Sequence, residues 1–204
     1  MIAFDPETHR YTVDGRIVRW SVTKVIDAVG LGVDYSRIPA ATLCWARERG
    51  KHVELCCRFF DEGILDWTSV VEEAKPYVEA WQRMRSETGF APVCHQPFGY
   101  SEALDVCGAA DVFGTMRNRS YDLEVKCTAS VSRAYGLQVA GQLELTYPGW
   151  DTPSHRALVQ LCKDGSYQLF TDDPQDERGR TVFRSVDRAV FKACVEVVRW
   201  KDAA

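Results

Sequence analysis

The sequence predicts an α/β fold in which helices cover both faces of a central β-sheet. Helix-type segments fill most of residues 1–90, and from residue 91 onward the order becomes three strands, a helix, two strands and a helix. With 46% apolar residues in 204 positions, the chain can bury one substantial core, so one domain over 1–204 is expected. Its N-terminal hairpin and helices would occupy about 1–90 and its sheet core about 91–204.

The elements follow from local patterns. Tyr11–Val13 and Arg16–Trp20 flank Asp14-Gly15, a favoured two-residue hairpin turn. Ser21 caps a short helix that stops at Gly30. Ala40 to Phe60 reads as a helix with Leu43, Ala46, Val53 and Cys57 turned inward. A second long helix is expected over Thr68–Thr88, with Thr68 as cap, Glu72 and Glu73 in its early turns, and Gly89 as its stop. Pro92–Phe98, Asp105–Phe113 and Tyr121–Cys127 are strand-type runs, the last two joined by a turn at Arg117–Arg119. Ser132–Thr146 is helical, with Leu137, Ala140, Gly141, Leu143 and Leu145 as packing positions. Arg156–Cys162 and Tyr167–Phe170 form a hairpin around Asp164-Gly165, and Val186–Trp200 closes the chain as a helix.

Composition excludes several classes. No window reaches the roughly 18 apolar residues of a membrane span, and the N-terminus lacks the order of a signal peptide, so a cytoplasmic protein is expected. Eight cysteines without a single C-x-x-C pair argue against an iron–sulfur cluster; they read as reduced core residues. A net charge of −4 argues against coating nucleic acid by bulk electrostatics, while local basic groups such as Arg47, Arg49 and Lys51 leave room for a local grip.

The informative stretch runs from Gly108 to Gln142. Asp111 lies on one expected strand, and the next carries Asp122, Glu124 and Lys126 at alternate positions, hence on one face. Such acids are costly to bury unless a cation joins them. A hard divalent ion held by Asp111, Glu124 and a backbone carbonyl, that of Val125, would satisfy both. An exposed hairpin with a charged outer face accounts for Asp122. It accounts less well for Glu124 and Lys126, because Leu123 and Val125 alternate with them toward a core and a helix follows directly. Trp20 and Trp45 are candidates for stacking on bases, with buried packing preferred for each, and His95 and His155 are read as structural.

These residues resemble the PD-(D/E)XK nucleases, in the RecB-like branch that includes phage recombination exonucleases and the mitochondrial genome maintenance exonuclease. Gly108–Asp111 is similar to that family's G-x-x-D strand, and Glu124-Val125-Lys126 to its (D/E)-x-K. Gln138 resembles the start of a Q-x-x-x-Y motif, Arg49–His52 (R-G-K-H, one residue shorter here) the R-G-x-x-H helix, and the segment His9–Ile26 the H-x-Y…G…S-V-T opening of phage members. Two positions depart from the pattern: Gln142 stands for the tyrosine, and Gln96 for an upstream acid.

The resemblance implies a restriction-endonuclease-like core, with a mixed sheet flanked by helices. It also implies a Mg²⁺- or Mn²⁺-dependent deoxyribonuclease acting at linear DNA ends, single- or double-stranded, in recombination or replication. Asp111, Glu124 and His52 would bind metal, with Lys126 and Gln138 completing the catalytic set. Arg49, Lys51, Arg133, Tyr135 and Gln142 would meet nucleic acid. A recombination or annealing protein is the implied partner and a phage or bacterial cytosol the implied location; oligomeric state stays open. A structure-specific or restriction-like endonuclease on the same core, and a catalytically silent nucleic-acid-binding module, are the competing expectations.

Overall fold

The computed structural model describes residues 1–6, 8 and 10–203; His9 of the opening pattern lies outside them. The chain opens with β1 (Ile2–Asp5), β2 (Arg10–Val13) and β3 (Arg16–Val18), a small antiparallel sheet. Asp14 and Gly15 both take positive φ between β2 and β3, the mirror-type turn whose twist suits a two-residue hairpin. β4 (Trp20–Ser21) leads into α1 (Val22–Ala28), whose Lys24 N–H is capped by the Ser21 hydroxyl as expected. α2 (Ala40–Asp61) matches the predicted helix, with Val53, Cys56 and Cys57 buried.

The next helix differs from expectation. Only a 3₁₀ turn forms at Trp67–Ser69, capped by Asp66, and α3 runs from Lys75 to Thr88. Pro76 explains the shift: it lacks an N–H and belongs in a first helical turn, so a helix begun at Thr68 would carry it in its interior.

The strand segments also divide. β5 (Ala91–His95) and β6 (Phe98–Ser101) are separated by Gln96, at φ 52°, and Pro97. β7 (Val106–Ala109) and β8 (Val112–Met116) are separated by Ala110 and Asp111. β6 and β7 belong to a three-stranded sheet ordered β4-β7-β6, whereas β5 and β8 join a five-stranded one. The chain therefore crosses between sheets twice, side by side. The Gln96 N–H donates to the Asp111 carbonyl (2.9 Å) and the Ala110 N–H to the Pro97 carbonyl (3.2 Å). Each uniform run was read as one strand because its apolar texture does not change where the chain changes sheet.

β9 (Arg119–Lys126), α4 (Arg133–Gln142), β10 (His155–Leu161), β11 (Tyr167–Thr171) and α5 (Asp187–Asp202) complete the chain. The large sheet is ordered β11-β10-β9-β8-β5; β9 and β10 are parallel, with α4 in the connection between them, and the other pairs are antiparallel. α4 ends four residues earlier than expected, and Leu145 packs in the turn beyond it.

The sheet's two faces bury different layers. Leu123, Ala157, Val159 and Val112 pack with Val53, Trp81 and Met84 of α2 and α3. Leu158 packs with Tyr135 and Val139 of α4, and Phe113 with residues of α1, α4 and α5. This is the expected α/β arrangement with helices on both faces of a mixed sheet. α4 approaches closely: a Cβ on Gly136 would lie 2.1 Å from the Val182 carbonyl oxygen, so only glycine fits there. No helix among the described residues is long and apolar enough to cross a membrane.

Candidate active site

Asp111, expected on a strand, sits in the crossing between β7 and β8 instead. Its Oδ2 accepts the Val125 N–H (2.8 Å), which fixes the carboxylate against the end of β9. With Val112 opposite Leu123 in the antiparallel register, the preceding Asp111 comes level with Glu124. The break in the strand places this acid at the sheet's edge, where it is a fifth exposed while Glu124 is fully buried.

Glu124 is held by three donors. Lys126 Nζ donates to Oε1, Gln138 Nε2 donates to the same oxygen at 2.6 Å, and Gln142 Nε2 donates to Oε2 at 3.1 Å. Gln138 and Gln142 reach it together because residues four apart share a face of α4. Lys126 Nζ also lies 4.0 Å from Asp111 Oδ2, so two carboxylates converge on one ammonium. Burial and then the Glu124 charge push the Asp111 carboxyl well above the usual carboxylate range, against the pull of Lys126. For Lys126, burial favours the neutral amine, but Glu124 and Asp111 outweigh it and raise its pKa, keeping the ammonium charged.

A third acid approaches from α2. Glu54 Oε1 accepts from Gln96 Nε2 (2.6 Å), and its charge acts on both Asp111 and Cys127. His52, the expected metal ligand, lies on the other flank of α2 from Glu54, since residues two apart on a helix point about 160° apart; its Nε2 lies 3.6 Å from Cys56 Sγ. Val53 and Cys57 form the buried stripe of α2, and positions 52 and 54 flank it on opposite sides. Sequence alone does not tell which flank of α2 meets the sheet's end; the R-G-x-x-H resemblance points to His52, and the structure adds Glu54, on the other flank, as a second candidate on this helix.

Asp122 also departs from expectation. It shares the face of Glu124, is fully buried rather than on a solvated surface, and neither carboxylate oxygen has a hydrogen-bond partner. Arg156 is its register neighbour on β10, but that guanidinium is engaged by Asp172, Asp187 and the Arg184 carbonyl. Burial, then Glu124 and Asp111, push the Asp122 carboxyl well above the usual range. Between its ordinary value and the raised one, the folded chain holds a proton that the unfolded chain has lost, so stability falls as pH rises, by up to about 1.4 kcal/mol per pH unit. Asp122→Asn is expected to gain stability relative to the parent steadily as pH rises from about 5 toward neutrality. Urea midpoints across that range check this, and a pH-independent difference sinks it.

The residues expected to meet nucleic acid separate into two groups. Lys51, paired with Glu48 at 2.9 Å, and Arg133, the first residue of α4, are exposed. Tyr135 and Gln142 are buried, at 5% and 1% exposure, and their contacts face inward. Tyr135 lies beneath Lys126, whose Nζ is 5.2 Å from the ring centre, and Gln142 donates to the Ala109 carbonyl as well as to Glu124. Arg49 is half-buried and donates to the Cys127 carbonyl (2.9 Å). Gln138, expected on this helix beside the centre, is half-buried there and donates to Glu124.

Two other features bear on the chemistry. All eight cysteines are free, and burial holds the Cys127 thiol at about 12, so the sulfur nearest the centre stays protonated and is not a nucleophile. An open cleft of about 710 Å³ beside Arg83, Arg117 and Tyr167 lies by the β8–β9 turn, at the other end of β9 from Glu124 and Lys126, and holds none of the converging acids. Comparison with known proteins adds no assignment: no family model matches the chain, and no curated protein matches it either.

Proposed function

We propose that this chain is a metal-dependent DNA nuclease with a restriction-endonuclease-like core of the PD-(D/E)XK type, hydrolysing phosphodiester bonds at DNA ends. The observation that carries the reading is the convergence of Asp111, Glu124 and Lys126 at one end of β9, with Gln138 fixing Glu124. The mixed five-stranded order, with α4 between the parallel strands β9 and β10, supports it.

The donor set is chemically suited to a hard cation: carboxylate oxygens of Asp111 and Glu124, the Val125 carbonyl, and Glu54 close by. Among the described residues no three His, Cys, Asp or Glu side chains form a ready ligand cluster, but Mg²⁺ is commonly held by one or two carboxylates and water. When bound, Mg²⁺ or Mn²⁺ supplies Lewis-acid polarisation of the phosphate and a more acidic water. The chain's own contribution is positional and electrostatic. The Val125 N–H and Gln138 hold the two acids, and Lys126 orients the attacking water and stabilises charge developing on the phosphate. Gln96, standing where the family has an acid, holds Glu54 instead, so α2 supplies the missing carboxylate.

The test is a metal titration of cleavage on end-labelled linear DNA, with covalently closed circles as control. Linear DNA should be degraded with Mg²⁺ or Mn²⁺ and spared in excess chelator. Chelator-resistant cleavage overturns the reading, and cutting of closed circles moves it to an endonuclease. In the same titration Glu54→Gln should weaken metal affinity about 10- to 100-fold, whereas His52→Ala stays within about twofold of the parent.

A further inference from the structure

Trp45 is 53% exposed, although an indole of that size is expected to pack. It is nevertheless held in place. The Arg49 guanidinium lies 4.6 Å from the Trp45 ring and 4.9 Å from the Tyr77 ring, and the same side chain donates to the carbonyl of Cys127, the residue after Lys126. A second chain of contacts returns from the centre to α2. Lys126 stands over Tyr135, Tyr35 is a neighbour of the Tyr135 hydroxyl, and Arg47 lies 6.0 Å from the Tyr35 ring. The first half of α2 thus frames the end of β9 with an exposed aromatic surface and cations.

We propose that Trp45 is a stacking platform for the unpaired bases of a single DNA strand entering the site. This rests on the nuclease reading for its location. Through Arg49 the indole lies within about 9 Å of the Cys127 carbonyl, which is two to three base steps at about 3.4 Å per stacked base. A strand whose phosphate is held at this end of β9 can therefore bring its neighbouring bases to the indole. In a duplex those base faces are already covered by their neighbours; in a single strand they are free. Arg47, exposed on the same helix, and Lys51, exposed and paired with Glu48, offer positive charge to the strand's phosphates, and such a mixture of cations with an aromatic face is the chemistry that binds single strands without reading sequence.

The experiment measures binding without cleavage, in excess chelator, by fluorescence anisotropy of a fluorescein-labelled oligothymidylate and of a duplex closed by hairpins at both ends. Trp45→Ala should weaken oligothymidylate binding about tenfold, the loss expected for one stacked base, and Trp45→Phe should recover most of it. Duplex binding should change less than about twofold. Oligothymidylate binding by Trp45→Ala within about twofold of the parent overturns the proposal, as does an equal loss on the duplex or no binding by the parent protein. A loss with Trp45→Ala in a protein that cleaves nothing in Mg²⁺ leaves this inference standing and removes the nuclease reading. Efficient metal-dependent cleavage with oligothymidylate binding indifferent to Trp45 does the reverse.

Discussion

Glu124→Gln is expected to abolish DNA hydrolysis, with a loss beyond about a thousandfold, because it removes the charge on which the whole site is assembled. Three donors from two elements point at this one carboxylate, and one of them, Gln142, is buried away from solvent. An ionised carboxyl accepts at every lone pair, whereas an amide must direct an NH₂ group at one side of the same shell. Whichever way the amide turns, a donor faces Lys126 and Gln138, or Gln142. The variant should therefore lose about 1 to 3 kcal/mol of stability as one buried donor goes unpaired, and should remain folded. Metal affinity should fall together with activity, since a neutral amide is a poor partner for a hard cation. The checks are a urea melt, a metal titration and single-turnover cleavage on the same preparation. Cleavage within about tenfold of the parent in a folded Glu124→Gln protein means that Glu124 only supports Lys126 and does not hold the metal.

The residues at the centre of that prediction were legible in the sequence because each rests on a short-range rule. Alternation along a strand places Glu124 and Lys126 on one face, and the four-residue spacing on a helix brings Gln138 and Gln142 to one carboxylate. The parts that were not legible depend on long-range register. Asp111 looks like a mid-strand residue because nothing in Val106–Phe113 marks where the chain leaves one sheet for another; the mark is Gln96, fifteen residues away, whose N–H meets the Asp111 carbonyl. Glu54 and His52 cannot be ranked until the side of α2 that meets the sheet is known. Asp122 and Trp45 were each given the environment usual for their type. Asp122 is instead covered on the sheet face shared with Glu124, and Trp45 is half exposed, with Arg49 against its ring. A residue that violates its type's preference without local compensation is where function is to be sought. The α3 boundary is a different case, since Pro76 was in plain view and the rule that forbids it in a helix interior was available.

Lys126→Ala separates chemistry from binding. The ammonium is the one positive charge that Asp111 and Glu124 share, so its removal leaves two neighbouring carboxylates with less compensation and a stronger demand for an external cation. Metal binding near neutral pH should therefore persist or tighten slightly. DNA binding should also persist, because the exposed basic residues Arg47, Lys51 and Arg133 are untouched. The cost should fall on the chemical step, where a donor aimed at charge that develops only in the transition state is typically worth a hundred- to a thousandfold in rate, about 3 to 4 kcal/mol. Lys126→Met is the companion variant: it keeps an unbranched stem over the Tyr135 ring and so preserves packing while removing the charge. Both variants should bind Mn²⁺ and labelled DNA like the parent, yet cleave at least about a hundred times more slowly in single turnover. If both keep single-turnover rates within a factor of about three, Lys126 serves only to neutralise two buried acids, and the nuclease reading loses its central residue. If Lys126→Ala alone is slow and Lys126→Met is not, the loss belongs to the packing against Tyr135 and not to the ammonium.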